Sequence, residues 1–140
     1  MSVAQVFLMF KLYVASAAIA LGVQVPEVKH LEFAAAREVA PGITVGTVAF
    51  VAVRKRTCSP GFDCDQRPTV IIMEHTLEAY VQQRGSARAQ VWLECIARHE
   101  VAHVALGHHA LEGNLDDDFR HNVVRLVMRD TWKQDSTCEF

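Results

Sequence analysis

The sequence is short of chain breakers and of any excess of one charge. Four prolines and seven glycines in 140 residues, with 51% hydrophobic residues, exclude a disordered or low-complexity chain. Basic residues number 14 against 16 acidic ones, which argues against a nucleic-acid partner held by a strong positive field. None of the four cysteines (Cys58, Cys64, Cys95, Cys138) stands in a Cys-x-x-Cys pair. A zinc knuckle or a thioredoxin-like redox site is therefore unsupported. Cys58 and Cys64 flank a turn-rich stretch where a local bridge could close a hairpin tip, and free thiols are an equal reading. No internal repeat or domain-sized linker interrupts the chain, and its length fits one domain over residues 1–140.

What the chain does have is histidine. Seven occur, and five of them (His99, His103, His108, His109, His121) fall within one window of 23 residues. The second conspicuous feature is an apolar run from Val3 to Val23, broken only by Gln5, Lys11, Ser16 and Gly22. Lys11 sits near its middle, where a membrane span avoids charge. It also follows the first apolar residues, whereas an export signal carries its positive charge before them. Three readings stay open: a helix docked on the core with Lys11 reaching solvent, an export signal, or a membrane anchor. The first goes with a cytoplasmic protein, the others with an exported or anchored one.

Pattern and punctuation predict an α+β order. The first helix ends near Gly22, because Pro26 disfavours helical geometry at Val25. Residues 27–33 suit a short strand and residues 34–39 a helical turn, followed by the Pro41-Gly42 turn. Residues 43–53 (ITVGTVAFVAV) and 69–73 (TVIIM) are dense in β-branched residues and read as strands. The period then turns helical: residues 75–83, a long helix from Ala87 to about Leu106 capped by Ser86, and a last helix from Asp116-Asp117-Asp118 to Trp132. The expected fold is an N-terminal helix, a sheet of two or three strands, a long helix and a C-terminal helix.

His99-Glu100-Val101-Ala102-His103 is an H-E-x-x-H in the second half of that long helix. Positions i and i+4 share a helix face, so two imidazoles can converge on one ion. Zn²⁺ takes neutral imidazole readily and leaves room for water. Glu100, about 100° further round, can act as general base toward a metal-bound water. The bland alternative is a surface helix with coincidental histidines. Cys95 lies one turn before His99, but residues at i, i+4 and i+8 spread over about 12 Å, too far for one tetrahedral ion. It reads instead as a core residue or as a partner for Cys138.

A catalytic centre needs a third ligand. His109 follows His99 by ten residues, as in metzincins, but the glycine that turns the chain there comes one position late, at 107. The last helix offers two others. Leu115, Phe119, Val123, Leu126 and Val127 form its expected core-facing stripe; Asp118 lies beside it and His121 nearly opposite, on a side that Val124, Met128 and Trp132 also make partly apolar. Asp118 has the better phase and His121 the better ligand chemistry, while simple helix-end capping also accounts for Asp118. His75, Tyr80 and Arg120 are candidates for stabilising an oxyanion.

The run His99-Glu100-Val101-Ala102-His103-Val104-Ala105-Leu106-Gly107-His108 resembles the H-E-x-x-H-x-x-L-G-H segment of small gluzincin-type metallopeptidases, notably the ImmA/IrrE group and minimal single-domain gluzincins. The resemblance implies a zincin-like fold, zinc at His99 and His103, and Glu100 as general base. It also implies that Val70-Ile71-Ile72 is an edge strand that pairs with an extended peptide. The family's third ligand is a glutamate, of which Asp118-Phe119-Arg120 is a partial echo. The expected function is a zinc-dependent endopeptidase acting on a peptide or protein substrate. Two other classes remain: a non-catalytic zincin-fold regulator of a repressor-like partner, and a membrane-tethered or exported structural protein.

Overall fold

The computed structural model describes residues 1–54, 67–83, 86–108 and 117–138, with only the backbone at 54, 117 and 118. Cys58, Cys64 and His109 lie outside the described residues, as does the side chain of Asp118.

The first helix, α1 (Val3–Leu21), starts in a capping box between Ser2 and Gln5 and stops at Gly22, whose φ of 67° suits a residue without Cβ. Val6, Phe10, Val14, Ala17 and Ala18 recur at helical spacing and are buried. They pack with Leu77 and Tyr80 of α3 (Glu74–Gln82) and with Trp92, Leu93, Ile96 and Ala97 of α4 (Ala87–Ala105). Leu8, Leu12 and Ile19 lie on the opposite face of α1 and are exposed. By length and composition α1 is the one helix among the described residues that could cross a membrane. In this fold its inner face is part of the core. Phe10→Ala is accordingly expected to cost about 3–5 kcal/mol in urea unfolding, and a change below about 1 kcal/mol would show that α1 is not integral to the fold.

Three strands form one sheet in the order β1-β3-β2. β1 (Glu27–Leu31) runs parallel to β3 (Arg67–Met73), with Val28 opposite Val70, and β2 (Ala49–Arg54) runs antiparallel to it, with Val51 opposite Val70. Val70 and Ile72 face the core made by α1, α3 and α4. Ile71 and Met73 face the other way, against Phe50, Ala52 and Ala36 of α2 (Phe33–Val39). Helices thus cover both faces of β3.

This corrects the assignment of Val70, Ile71 and Ile72 to an edge strand. All three are buried, and β3 pairs on both sides, so its backbone offers no open ladder to a peptide. An unbroken apolar run is what a strand buried on both faces requires, whereas an edge carries charge or alternation. The edges are β1 and β2, and β2 is the edge in contact with α4.

A second correction concerns residues 43–53. Only Ala49–Arg54 is strand. Upstream, the Thr47 N–H donates to the Thr44 carbonyl and the Thr44 N–H to Thr47 Oγ1, closing a turn across Gly46 that leaves Val45 exposed. Local side-chain bonding there outcompetes β-propensity.

Candidate metal centre

α4 places the motif. Ser86 Oγ accepts from the Ala89 N–H at 3.1 Å and starts the helix, and Gly107, at φ 73°, ends it. One side of α4 enters the main core through Ala89, Leu93, Ile96, Ala97 and Val101. The other side, with Cys95 and Ala102, packs against Val124 and Met128 of α5 (Asp117–Trp132). His99 and His103 emerge along this second seam.

The phase of α5 differs from the expected one. Arg120, Val124 and Met128 face inward, while Phe119 and Leu126 are more than 60% exposed. The helix has two apolar stripes, and the one in use is chosen by the chain beyond it. A disulfide joins Cys95 to Cys138, with Cα atoms 5.5 Å apart. The Arg98 guanidinium lies 5.2 Å over the Trp132 ring, and its Nη1 donates to Gln134 Oε1 at 2.7 Å. Arg98 also pairs with Glu94 one turn back. These ties dock residues 132–138 along α4, and in this arrangement His121 faces the motif.

His99, His103 and His121 therefore converge. Their ligating nitrogens all lie within 4.8 Å of one another, and this group can hold a metal ion. His99 Nε2 and His103 Nε2 are 3.0 Å apart, and the His121 ring centroid stands 5.6 and 5.5 Å from theirs. Nitrogens on a tetrahedral zinc stand about 3.3 Å apart, given bonds of about 2.0–2.1 Å. The first two imidazoles match that spacing to a few tenths of an ångström, and His121, exposed on its helix, needs a modest inward swing.

The outer ring nitrogens are held as well. The Ser136 carbonyl lies 3.3 Å from His99 Nδ1 and can only accept, so His99 carries its proton on Nδ1 and keeps the Nε2 lone pair for the cluster. Without an ion, His103 then donates from Nε2 to His99 and accepts at Nδ1 from His108, 3.2 Å away. For both Nε2 atoms to ligate, the His103–His108 pair must exchange tautomers, with no net proton gained or lost. His108 is thus a neighbour that sets the His103 tautomer rather than a ligand. Only tertiary packing could reveal the Ser136 contact. The short spacing from His103 to His108 across Gly107 was the available signal for the other.

Electrostatics keep the imidazoles neutral. Burial, and then the charge of His121, lower His99 to about 4 against a small opposing effect of Ser136. Burial, followed by His99, His121, His108 and Arg120, lowers His103 to about 3. Both therefore offer lone pairs at neutral pH. Glu100 is 6% exposed, and burial raises its carboxyl to about 8.

Of the three oxyanion candidates, Arg120 is the one at the centre: it is buried, and its charge acts on His103. Tyr80 is in the main core with its hydroxyl toward Met9, and His75 Nε2 meets the Thr47 carbonyl. Among the described residues His121 completes the group, while the Asp118 side chain lies outside them.

The His99–Ser136 contact depends on the disulfide that holds the tail. Cys138→Ser is expected to weaken the affinity of this group for a divalent metal about 10–100-fold in a chelator competition, as loss of a ligand's orienting partner does. Unchanged affinity would dissociate the tail from the centre.

Comparison with family models, with curated proteins and with solved structures gives no match for this chain.

Proposed function

We propose that the protein is a zinc-dependent metallopeptidase whose H-E-x-x-H run resembles that of the gluzincins, cleaving a peptide bond in an extended segment. The observation that carries the reading is the convergence of His121, from a separate helix, on the two histidines of an H-E-x-x-H. A three-imidazole donor set with outer nitrogens fixed by Ser136 and His108 suits a borderline-soft divalent ion and leaves a position for water. This departs from the glutamate third ligand that the resemblance implies, so the kinship rests on the motif run and the order of elements.

When bound, zinc supplies Lewis acidity and lowers the pKa of a coordinated water. The chain's own part is proton handling and orientation. Glu100 takes a proton from water as its oxygen attacks the scissile carbonyl carbon, and returns that proton to the amine as the C–N bond breaks. Burial raises its carboxyl to about 8 without metal, and a dication beside it would favour the ionised form that accepts the proton. The charge of Arg120 reaches His103 and would favour negative charge developing there. An extended substrate would add to the outer edge of β2, the edge strand next to α4, rather than to β3.

The Cys95–Cys138 bridge fits an oxidising compartment, which favours export over the cytoplasmic location. Thiol counting on protein taken directly from its native cells, beside fractionation, decides between them.

A peptide-library digest tests the function. Cleavage is expected from protein carrying one zinc per chain, to be lost with chelator and restored by zinc. Stoichiometric zinc with no cleavage of any peptide would instead favour the non-catalytic regulator, and a folded protein that binds no zinc would refute the peptidase and leave the regulator.

A further inference from the structure

Beyond the histidine cluster, α5 continues as a row of cations. His121, Arg125, Arg129 and Lys133 recur at every fourth residue and follow a slowly turning stripe along the helix. Lys133 then reverses the chain: its φ is 54°, its N–H donates to the Arg129 carbonyl at 3.1 Å, and the Gln134 N–H reaches the Met128 carbonyl at 3.5 Å. A lysine rather than glycine in this left-handed position accepts backbone strain and places an ammonium at the turn.

The returning tail, pinned to α4 by the disulfide and by Arg98, runs beside the stripe. Between them lies an open groove of about 700 Å³ lined by Arg125, Arg129, Lys133, Gln134, Asp135 and Thr137. Three cations share one carboxylate. Asp135 is held below its ordinary pKa chiefly by hydrogen bonds from Thr137, its N–H at 3.0 Å, and to a smaller extent by Arg125 and Arg129. The groove is therefore net positive on a chain whose formal charge is −2, so its field is local rather than a general basicity. Both of its walls lead back along the chain to the centre. α5 carries His121, and the tail carries the Ser136 carbonyl that meets His99.

We propose that this groove is a subsite for acidic side chains, Asp or Glu, of a peptide whose scissile bond lies at the His99–His103–His121 cluster; it rests on the peptidase reading. A helix rises about 1.5 Å per residue, so Arg125 is about 6 Å and Lys133 about 18 Å beyond His121 along the axis. An extended peptide advances about 3.3 Å per residue. For a peptide that leaves the β2 edge at the cluster and then follows α5, the acidic side chains recognised are those about two to five residues from the cleaved bond.

The test is fluorescence anisotropy with the Glu100→Gln protein and two labelled decapeptides, one of alternating Ala and Glu and one of alternating Ala and Gln. The Glu peptide is expected to bind about tenfold more tightly at roughly 50 mM salt, with the advantage lost at roughly 500 mM. Arg125→Glu combined with Arg129→Glu, both exposed positions, should abolish the preference, while Arg88→Glu at the exposed start of α4 should keep it. An unchanged melting temperature and zinc content show that the double variant is folded. Equal affinity for the two peptides, a preference that survives the double variant, or equally tight binding of a thymidine decanucleotide would each overturn the proposal. If the wild type cleaves no peptide, the peptidase reading fails while the anisotropy still decides the groove.

Discussion

Under the proposed function, Glu100→Gln is expected to cut peptide turnover by about 10²–10⁴-fold without loss of bound zinc. Gln keeps the volume and polarity of the side chain in its place on α4, and His99 and His103 on either side of it are untouched, but it cannot take a proton. The same substitution has a second expected effect, of opposite sign, on the metal-free protein. Burial raises the folded-state pKa of Glu100 to about 8, above the ordinary value of 4.5. A folded state that binds its proton more tightly than the unfolded state has its full advantage below pH 4.5 and loses it as pH rises through about 8. Metal-free wild type therefore carries the cost of a buried ionising acid at pH 8, and the Gln variant does not. The variant should melt roughly 5–10 °C higher at pH 8, and the gap should close toward pH 4. Scanning calorimetry on chelator-treated protein measures this. Retained turnover would remove Glu100 as the base, and a gap independent of pH would show that its carboxyl is not the ionising group.

His121→Ala is expected to lose about 100-fold or more in zinc affinity, as is His103→Ala, whereas Asp118→Ala should stay within a fewfold of wild type. Two imidazoles from one helix turn hold an ion weakly, and the third nitrogen within reach, among the described residues, is on α5. Cobalt(II) replaces zinc as a probe, because its absorption reports the number and geometry of nitrogen donors. Wild type and Asp118→Ala should give the intense bands of a tetrahedral site, and His121→Ala the weak spectrum of a solvated ion. The reverse pattern would move the third ligand to Asp118 and leave His121 a surface residue. His121 is exposed and Val124 and Met128 carry the packing of α5, so the alanine variant should fold.

Much of the site was legible because it depends on local geometry. The i, i+4 spacing of His99 and His103, the Ser86 cap and the glycines at 22 and 107 act within a turn or two of helix, where sequence order and spatial order coincide. The two edges of Ala87–Ala105 were read to within one residue for that reason. What failed depended on distant partners. TVIIM was readable as a strand, but its place in the middle of the sheet follows from pairing with residues some forty positions upstream on one side and some twenty on the other. The apolar stripe of α5 was misread because two stripes of similar character exist on one helix, and amphipathicity does not choose between them.

By itself, then, the sequence determined the element types, the α+β order, and a helix presenting two histidines and a glutamate. Tertiary structure decided the rest: that β3 is central, that Cys95 pairs with Cys138, and that the tail turns at Lys133 and docks along α4 with His121 facing the motif. The physical reason is range. Helix caps and i, i+4 faces are fixed by bonds within one turn, whereas the choice between two nearly equal helix faces is made by a cross-link and a stacked cation 34 to 43 residues away in the chain.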